Sequence, residues 1–168
     1  MNGDLLALAD LEPLVQRLAE ALRARHWRLV TAESCTGGLV AAACTTVAGS
    51  SDWFERGFVT YSNEAKAESL GVPPALIAQH GAVSCEVALA MAEGALRHAH
   101  AQLALGVTGI AGPGGAVPGK PVGTVWLGFA ASGQPPRAEL LQLDGDRAAI
   151  RVQAVRHALQ RLAEVAGA

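Results

Sequence analysis

Lysine is scarce in this 168-residue chain: of its 13 basic residues eleven are arginine, and only Lys66 and Lys120 are lysine. Tyrosine occurs once, at Tyr61, and asparagine twice, at Asn2 and Asn63. The three cysteines, Cys35, Cys44 and Cys85, form no C-x-x-C pair and leave one over from any pairing. That argues against a disulfide framework and for a reduced, cytoplasmic setting. None of the 5 histidines falls at H-x-x-x-H or Cys/His ligand spacing, so no metal and no cofactor is expected. Positive charge is not in excess: the net charge is −2 and the pI about 6.2, without the basic stripe of a nucleic-acid binder. No apolar run approaches the roughly 18 residues that span a bilayer. Asp4 stands where a secretory signal would carry positive charge. Charged residues make up 17% of the chain against 51% hydrophobic, a balance that excludes disorder for most of its length.

The elements that are present interleave. Leu11, Leu14, Val15, Leu18, Ala21 and Leu22 recur at helical spacing, which predicts a first helix over about 10–25. Strands are expected at about 28–33, 53–61, 102–108, 122–131 and 137–143. Helices are expected at about 35–47, 63–70, 73–80 and 84–99. A last helix should follow Asp144-Gly145-Asp146, with Ala148, Val152, Val155, Leu159 and Leu162 on one face. Ser132-Gly133-Gln134-Pro135-Pro136 joins the last two strands as a hairpin-like link. The pattern predicts a three-layer α/β/α sandwich with a mixed β-sheet, built as a single domain over 1–168.

Three motifs invite readings that fail or stay divided. In "GIAGPGGAVPGKPVG" (109–123), Gly114-x-x-x-x-Gly119-Lys120 begins a Walker A pattern, but Pro121 replaces the metal-binding hydroxyl and a strand follows where a helix is required. No G-x-G-x-x-G opens a helix, so a dinucleotide fingerprint fails too. A glycine-rich loop of about 15 residues is nonetheless uncommon unless it binds something, and successive glycine amides suit an anion. Tyr61 and Lys66 are five apart, one more than the Tyr/Lys pair of short-chain dehydrogenases. Ser34, in "TAESCTGG" (31–38), can be read as an ordinary helix cap. Gly37-Gly38 stands where a capping box would place Glu or Gln, and each glycine weakens a helix by about 1 kcal/mol relative to alanine. Glycines there leave room for another molecule at the helix start, where a capping hydroxyl would face it.

"TYSNEAK" (60–66) gathers the chain's only tyrosine, one of its asparagines and one of its lysines. Unlike arginine, a desolvated lysine can lose its proton and serve as a base. Ser34 at the end of a strand, with Lys66 one turn into a helix, makes a Ser–Lys nucleophile and base. Tyr61 would relay or hold the proton, and amides at the start of the 35–47 helix would hold an oxyanion. Cys35 is the rival nucleophile, since a thiolate attacks well, but no histidine stands out as its partner. The presence of a base favours Ser34.

These motifs carry a family. "AESCTGG", "AGSSDWFERGFVTYSNEAKAESLGV", "QHGAVS", "GVTGIAGPGG", "KPVGTVWLGFA" and "DGDR" together resemble the CinA C-terminal domain family, also called the PncC or nicotinamide-nucleotide amidohydrolase family, over about 10–165. The resemblance implies hydrolysis of the carboxamide of nicotinamide mononucleotide to nicotinate mononucleotide and ammonia, in nucleotide recycling, without a metal. It places the nucleophile and base on Ser34 and Lys66 and the family tyrosine on Tyr61. It further suggests substrate contacts at Glu33, Cys35, Thr36, Gly37, Thr108, Gly109, Gly112 and Arg147. Glu33 would bind ribose, orient the lysine or only pair locally. Arg147 would offer a fork to the phosphate or simply sit beside Asp144 and Asp146 on the surface. The implied partner is a small nucleotide, with neither nucleic acid nor membrane, and family habit implies a homo-oligomer. The segment Gly114–Gly119 lacks the acidic or polar residues common after the family's AGP. Nothing of the molybdopterin-binding-like half of full-length CinA is implied. A non-catalytic nucleotide-binding module and a Cys35-dependent amidase stand as alternatives.

Overall fold

A computed structural model describes residues 8–168. The expectation about a leader sequence concerns residues that lie outside this range. After a 3-10 turn at Leu8–Leu11, helix α1 spans Glu12–Ala24, with Pro13 in its first turn where no amide hydrogen is needed. There follow β1 (Leu29–Glu33), α2 (Leu39–Cys44), β2 (Phe54–Val59), α3 (Asn63–Leu70), α4 (Pro74–His80) and α5 (Cys85–Arg97). The chain closes with β3 (Leu103–Gly109), β4 (Thr124–Ala131), β5 (Arg137–Gln142) and α6 (Arg147–Ala166).

All five strands form one sheet in the order β2-β1-β3-β4-β5. Strands β2, β1 and β3 run parallel, while β4 and β5 are antiparallel additions. Alternation along the strands sends Leu29, Leu103, Leu105, Val107, Val125 and Leu127 to one face, against α1, α2 and α6. Val30, Ala32, Ala104 and Ala130 go to the other, against α3, α4 and α5. These are the three layers of the expected sandwich with its mixed sheet.

Two expectations are corrected at the element level. The helix expected at 35–47 is only Leu39–Cys44, because Gly37 and Gly38 take φ of +59° and +101° and break helical continuity before Leu39. Ser34 is therefore no helix cap, and Thr36 does not start the helix. On α6 the expected Val155, Leu159 and Leu162 are buried, joined by Ile150, Ala154 and Ala158, whereas Ala148 is exposed and Val152 half-buried; the Asp146 side chain accepts from the Ala149 amide and sets the helix start.

The connection from β1 to β2 passes over one face, through α2, and the connection from β2 to β3 over the other, through α3, α4 and α5. Beyond the carboxyl ends of β1 and β3 the two connections diverge and open a crevice, the usual ligand position in an open α/β sheet.

Candidate active site

A cleft of about 250 Å³ occupies that crevice, lined among others by Ser34, Cys35, Tyr61, Lys66, Thr108 and Arg147. Ser34 follows β1 directly, and its amide donates to the Val107 carbonyl at 2.9 Å, which extends the β1–β3 pairing by one bond. Its side chain is 8% exposed, at the cleft floor. Lys66 enters from α3, whose Ser62 cap accepts from the Ala65 amide and sets the helix phase that turns Lys66 inward. At 1% exposure it is among the largest fully buried side chains of the fold.

The Lys66 amine has three oxygens around it. Nζ lies 3.1 Å from Ser34 Oγ, 3.0 Å from the Thr60 carbonyl and 3.2 Å from the Tyr61 carbonyl. Burial disfavours its charged form and lowers its pKa below the ordinary 10.5, against a smaller opposing pull from the Cys35 sulfur. In the neutral state the amine has two hydrogens for the two carbonyls and one lone pair to accept from the Ser34 hydroxyl. The arrangement can act as a nucleophile with its base.

Cys35 also lines the cleft, but burial raises its thiol to a pKa of about 11, so it stays protonated near neutral pH. Thr108 and Gly109, at the end of β3, and Gly112, in the following loop, form one wall. The Thr108 hydroxyl donates to the Ala82 carbonyl at 2.8 Å and so ties in the opposite rim. Arg147 lies at the mouth, where its guanidinium donates to the Gly112 carbonyl at 2.8 Å and to the Tyr61 hydroxyl at 2.9 Å.

Several expected roles are not what the geometry provides. The Tyr61 hydroxyl bonds Arg147 and its side chain is 62% exposed; the contact with Lys66 is made by the Tyr61 backbone carbonyl. Glu33 does not face the cleft: wholly buried, its carboxylate accepts from the Val40 amide at 2.8 Å, the Ala41 amide at 3.0 Å and the Thr36 hydroxyl at 2.7 Å. Thr36 is likewise buried beneath the turn, and Gly37 lies outside the cleft lining, facing Arg151. The 109–123 loop is tied down rather than loose, since Lys120 Nζ donates to the His80 carbonyl at 2.7 Å and Val117 bridges to Lys120. Gly114 and Gly115 still reach the cleft from that loop.

Residues the sequence reading passed over include Ala82, Val83 and Ile110 in the lining, and Arg151 behind the Ser34 turn. The i, i+4 spacing of Arg147 and Arg151 in "DRAAIR" places both on one helix face and was the available signal. Among the described residues no cluster of three or more His, Cys, Asp and Glu is arranged to hold a metal, and no helix is long and apolar enough to cross a membrane.

The sequence and fold have clear relatives. A family model described as the CinA C-terminal domain matches residues 11–166. The chain is 52% identical over 154 residues to the nicotinamide-nucleotide amidohydrolase PncC of Escherichia coli (strain K12), covering 92% of this chain and 93% of that one. It is 51% identical over 152 residues to the protein of the same name from Pseudomonas putida, covering 90% and 94%. The crystal structure of the competence/damage inducible protein CihA from Agrobacterium tumefaciens superposes with a TM-score of 0.88 at 45% identity, over 91% of this chain and 93% of that one.

Proposed function

The chain belongs to the CinA C-terminal domain family, and from that premise we propose that it hydrolyses the carboxamide of nicotinamide mononucleotide, giving nicotinate mononucleotide and ammonia. The observation that carries the mechanism is the 3.1 Å approach of Lys66 Nζ to Ser34 Oγ, with the Thr60 and Tyr61 carbonyls filling the other two positions.

In the proposed sequence neutral Lys66 accepts the Ser34 proton as Oγ bonds to the carboxamide carbon. The carbonyl π pair moves onto oxygen, giving a tetrahedral oxyanion. As the C–N bond breaks, the Lys66 ammonium returns its proton to the departing nitrogen and ammonia leaves. Water then enters; Lys66 takes one of its protons, hydroxide adds to the acyl carbon, and collapse restores Ser34 with release of the carboxylate. The 5′-phosphate is assigned to the mouth of the cleft, where Arg147 supplies charge and Gly114 and Gly115 supply backbone. The proposal includes action as a homo-oligomer in nucleotide recycling.

Cys35 is assigned no covalent role, because a thiol of pKa about 11 offers little thiolate. The test is ammonia release from the mononucleotide. Ser34→Ala and Lys66→Ala should each lose about 10³-fold or more in kcat, whereas Cys35→Ala should still turn over. Near-normal release by Ser34→Ala would sink the mechanism. Tight binding by the wild type without any ammonia would favour a non-catalytic module instead.

A further inference from the structure

The second of the two lysines, Lys120, takes no part in the chemistry assigned to the cleft, yet it stands in the glycine-rich loop beside it. Residues 113–119 of that loop are all exposed, so little packing holds them. The chain is fastened on either side of them. Arg147 donates to the Gly112 carbonyl at 2.8 Å, and the Pro121 carbonyl accepts from the Thr124 amide at 3.1 Å and from its hydroxyl at 2.7 Å. Within residues 113–120 the only internal hydrogen bonds among the described residues join the Val117 and Lys120 backbones. A single hydrogen bond leaves the segment: Lys120 Nζ donates to the His80 carbonyl at 2.7 Å.

That bond reaches the far wall of the cleft. Gly114 and Gly115 line the cleft from the loop, and Ala82 and Val83 line it from the connection between α4 and α5. Three side chains hold that connection by successive carbonyls. Lys120 takes that of His80, the Ser84 hydroxyl that of Gly81 at 2.8 Å, and the Thr108 hydroxyl that of Ala82 at 2.8 Å. Gly81 has φ of +79° and ψ of 157°, a conformation open almost only to glycine. A Cβ there would stand 3.0 Å from Lys120 Nζ, so the same glycine leaves room for the ammonium. Lys120 forms no ion pair among the described residues, and a charged donor makes the stronger bond to a carbonyl.

We propose that Lys120 is a positioning residue for the substrate phosphate: by strapping the glycine-rich loop to the α4–α5 connection, it keeps Gly114 and Gly115 at the cleft in the arrangement that receives the 5′-phosphate. The inference rests on the proposed reaction and on the assignment of the phosphate to that loop. A loop already held in its bound arrangement loses less freedom when ligand arrives, so the strap acts on affinity. Ser34 follows β1 and Lys66 sits in α3, and the strap touches neither, so it leaves the chemical step alone.

The experiment compares steady-state hydrolysis of nicotinamide mononucleotide by wild type, Lys120→Met and Lys120→Arg. Nicotinamide riboside, which lacks the phosphate, is added as a competing ligand, and amide hydrogen exchange is followed over residues 110–123 of the free proteins. Lys120→Met should raise KM for the mononucleotide roughly 10-fold with kcat within about twofold, as expected for loss of uniform binding. The inhibition constant of the riboside should stay within about twofold of wild type. Exchange over 110–123 should quicken at least about 10-fold. Lys120→Arg should recover part of the KM, since a guanidinium can donate to the same carbonyl but is broader than the ammonium that fits over Gly81. If the riboside does not compete with the wild type, the mononucleotide KM and the exchange rates decide. A KM within about twofold of wild type in Lys120→Met, a loss confined to kcat, unchanged exchange, or equal weakening of riboside and mononucleotide would overturn the proposal. If the wild type is active and Lys120→Met matches it, only the Lys120 inference fails; if the wild type releases no ammonia from the mononucleotide, both readings fail.

Discussion

Lys66 is an amine placed where water scarcely reaches, and among the described residues its hydrogen-bond partners are two carbonyls and one hydroxyl. Burial costs the ammonium form more than the amine, so its pKa falls from the ordinary 10.5. The proposed base is the amine, so kcat/KM should rise with pH along an acidic limb whose midpoint lies below 10.5. The phenol of Tyr61 bonds Arg147 and makes no hydrogen bond to Lys66. Tyr61→Phe should therefore leave that limb in place and show its effect in KM, through Arg147. A displaced limb in Tyr61→Phe, read from kcat/KM against pH, would return the tyrosine to proton relay. Scarcity of lysine pointed to Lys66 in the sequence, and the structure sets its amine 3.1 Å from Ser34 Oγ. For its neighbour the expected place was proton relay or holding, and here the Tyr61 atom that touches Lys66 is the backbone carbonyl, a group every residue has. No residue type could have signalled it.

At the scale of elements, the link from β1 to α2 is held by a residue that precedes it. Glu33, last in β1, reaches forward to the Val40 and Ala41 amides and to the Thr36 hydroxyl, and so caps a helix six residues further on. A carboxylate at a helix start also complements the partial positive charge there. The sequence showed two glycines that spoil a simple cap, but not which group would replace it. A strand residue seven positions from its partner amide is outside any local capping pattern. Glu33→Ala would leave two buried donors, the Val40 amide and the Thr36 hydroxyl, and the part-buried Ala41 amide without this partner, at about 1–3 kcal/mol for each buried one unsatisfied. The expected loss of stability is on the order of 3 kcal/mol in urea unfolding, accompanied by lower turnover as the Ser34 turn loosens. Glu33→Gln should recover only part, because an amide has one accepting oxygen where the carboxylate uses two. A Glu33→Ala protein as stable as wild type would remove Glu33 from the framework of the turn. A normal stability with a KM selectively raised would restore its expected place at the ribose.

Across the whole molecule, the cleft depends on how closely α5 lies on the sheet. The alternation of strands and helices and the hairpin link at 132–136 made a mixed three-layer sandwich readable. Strand order and register did not show in the chain, and it is register that matters here. Gly106 of β3 and Gly128 of β4 are cross-strand partners, and both face α5. A Cβ on Gly106 would come within 2.5 Å of the Ala88 carbonyl oxygen, and one on Gly128 would meet the same carbonyl. Those obstacles are backbone, so the helix must move rather than a side chain. The loop entering α5 carries Ala82 and Val83 into the cleft and is bonded to Thr108 through the Ala82 carbonyl. Lifting α5 would thus shift one wall of the site relative to Ser34 and Lys66. Gly128→Ala should destabilise by about 1–3 kcal/mol, the range for overpacking a close-packed interface, and should raise KM as that wall retreats. Gly133→Ala is the comparison. It has a left-handed φ of +75° and no atom within 4 Å of a new Cβ, so it should lose about 1 kcal/mol to backbone strain alone. Its KM should hold. Urea unfolding together with steady-state kinetics separates the two. Equal KM in both variants would mean that the seat of α5 supports the fold without shaping the cleft.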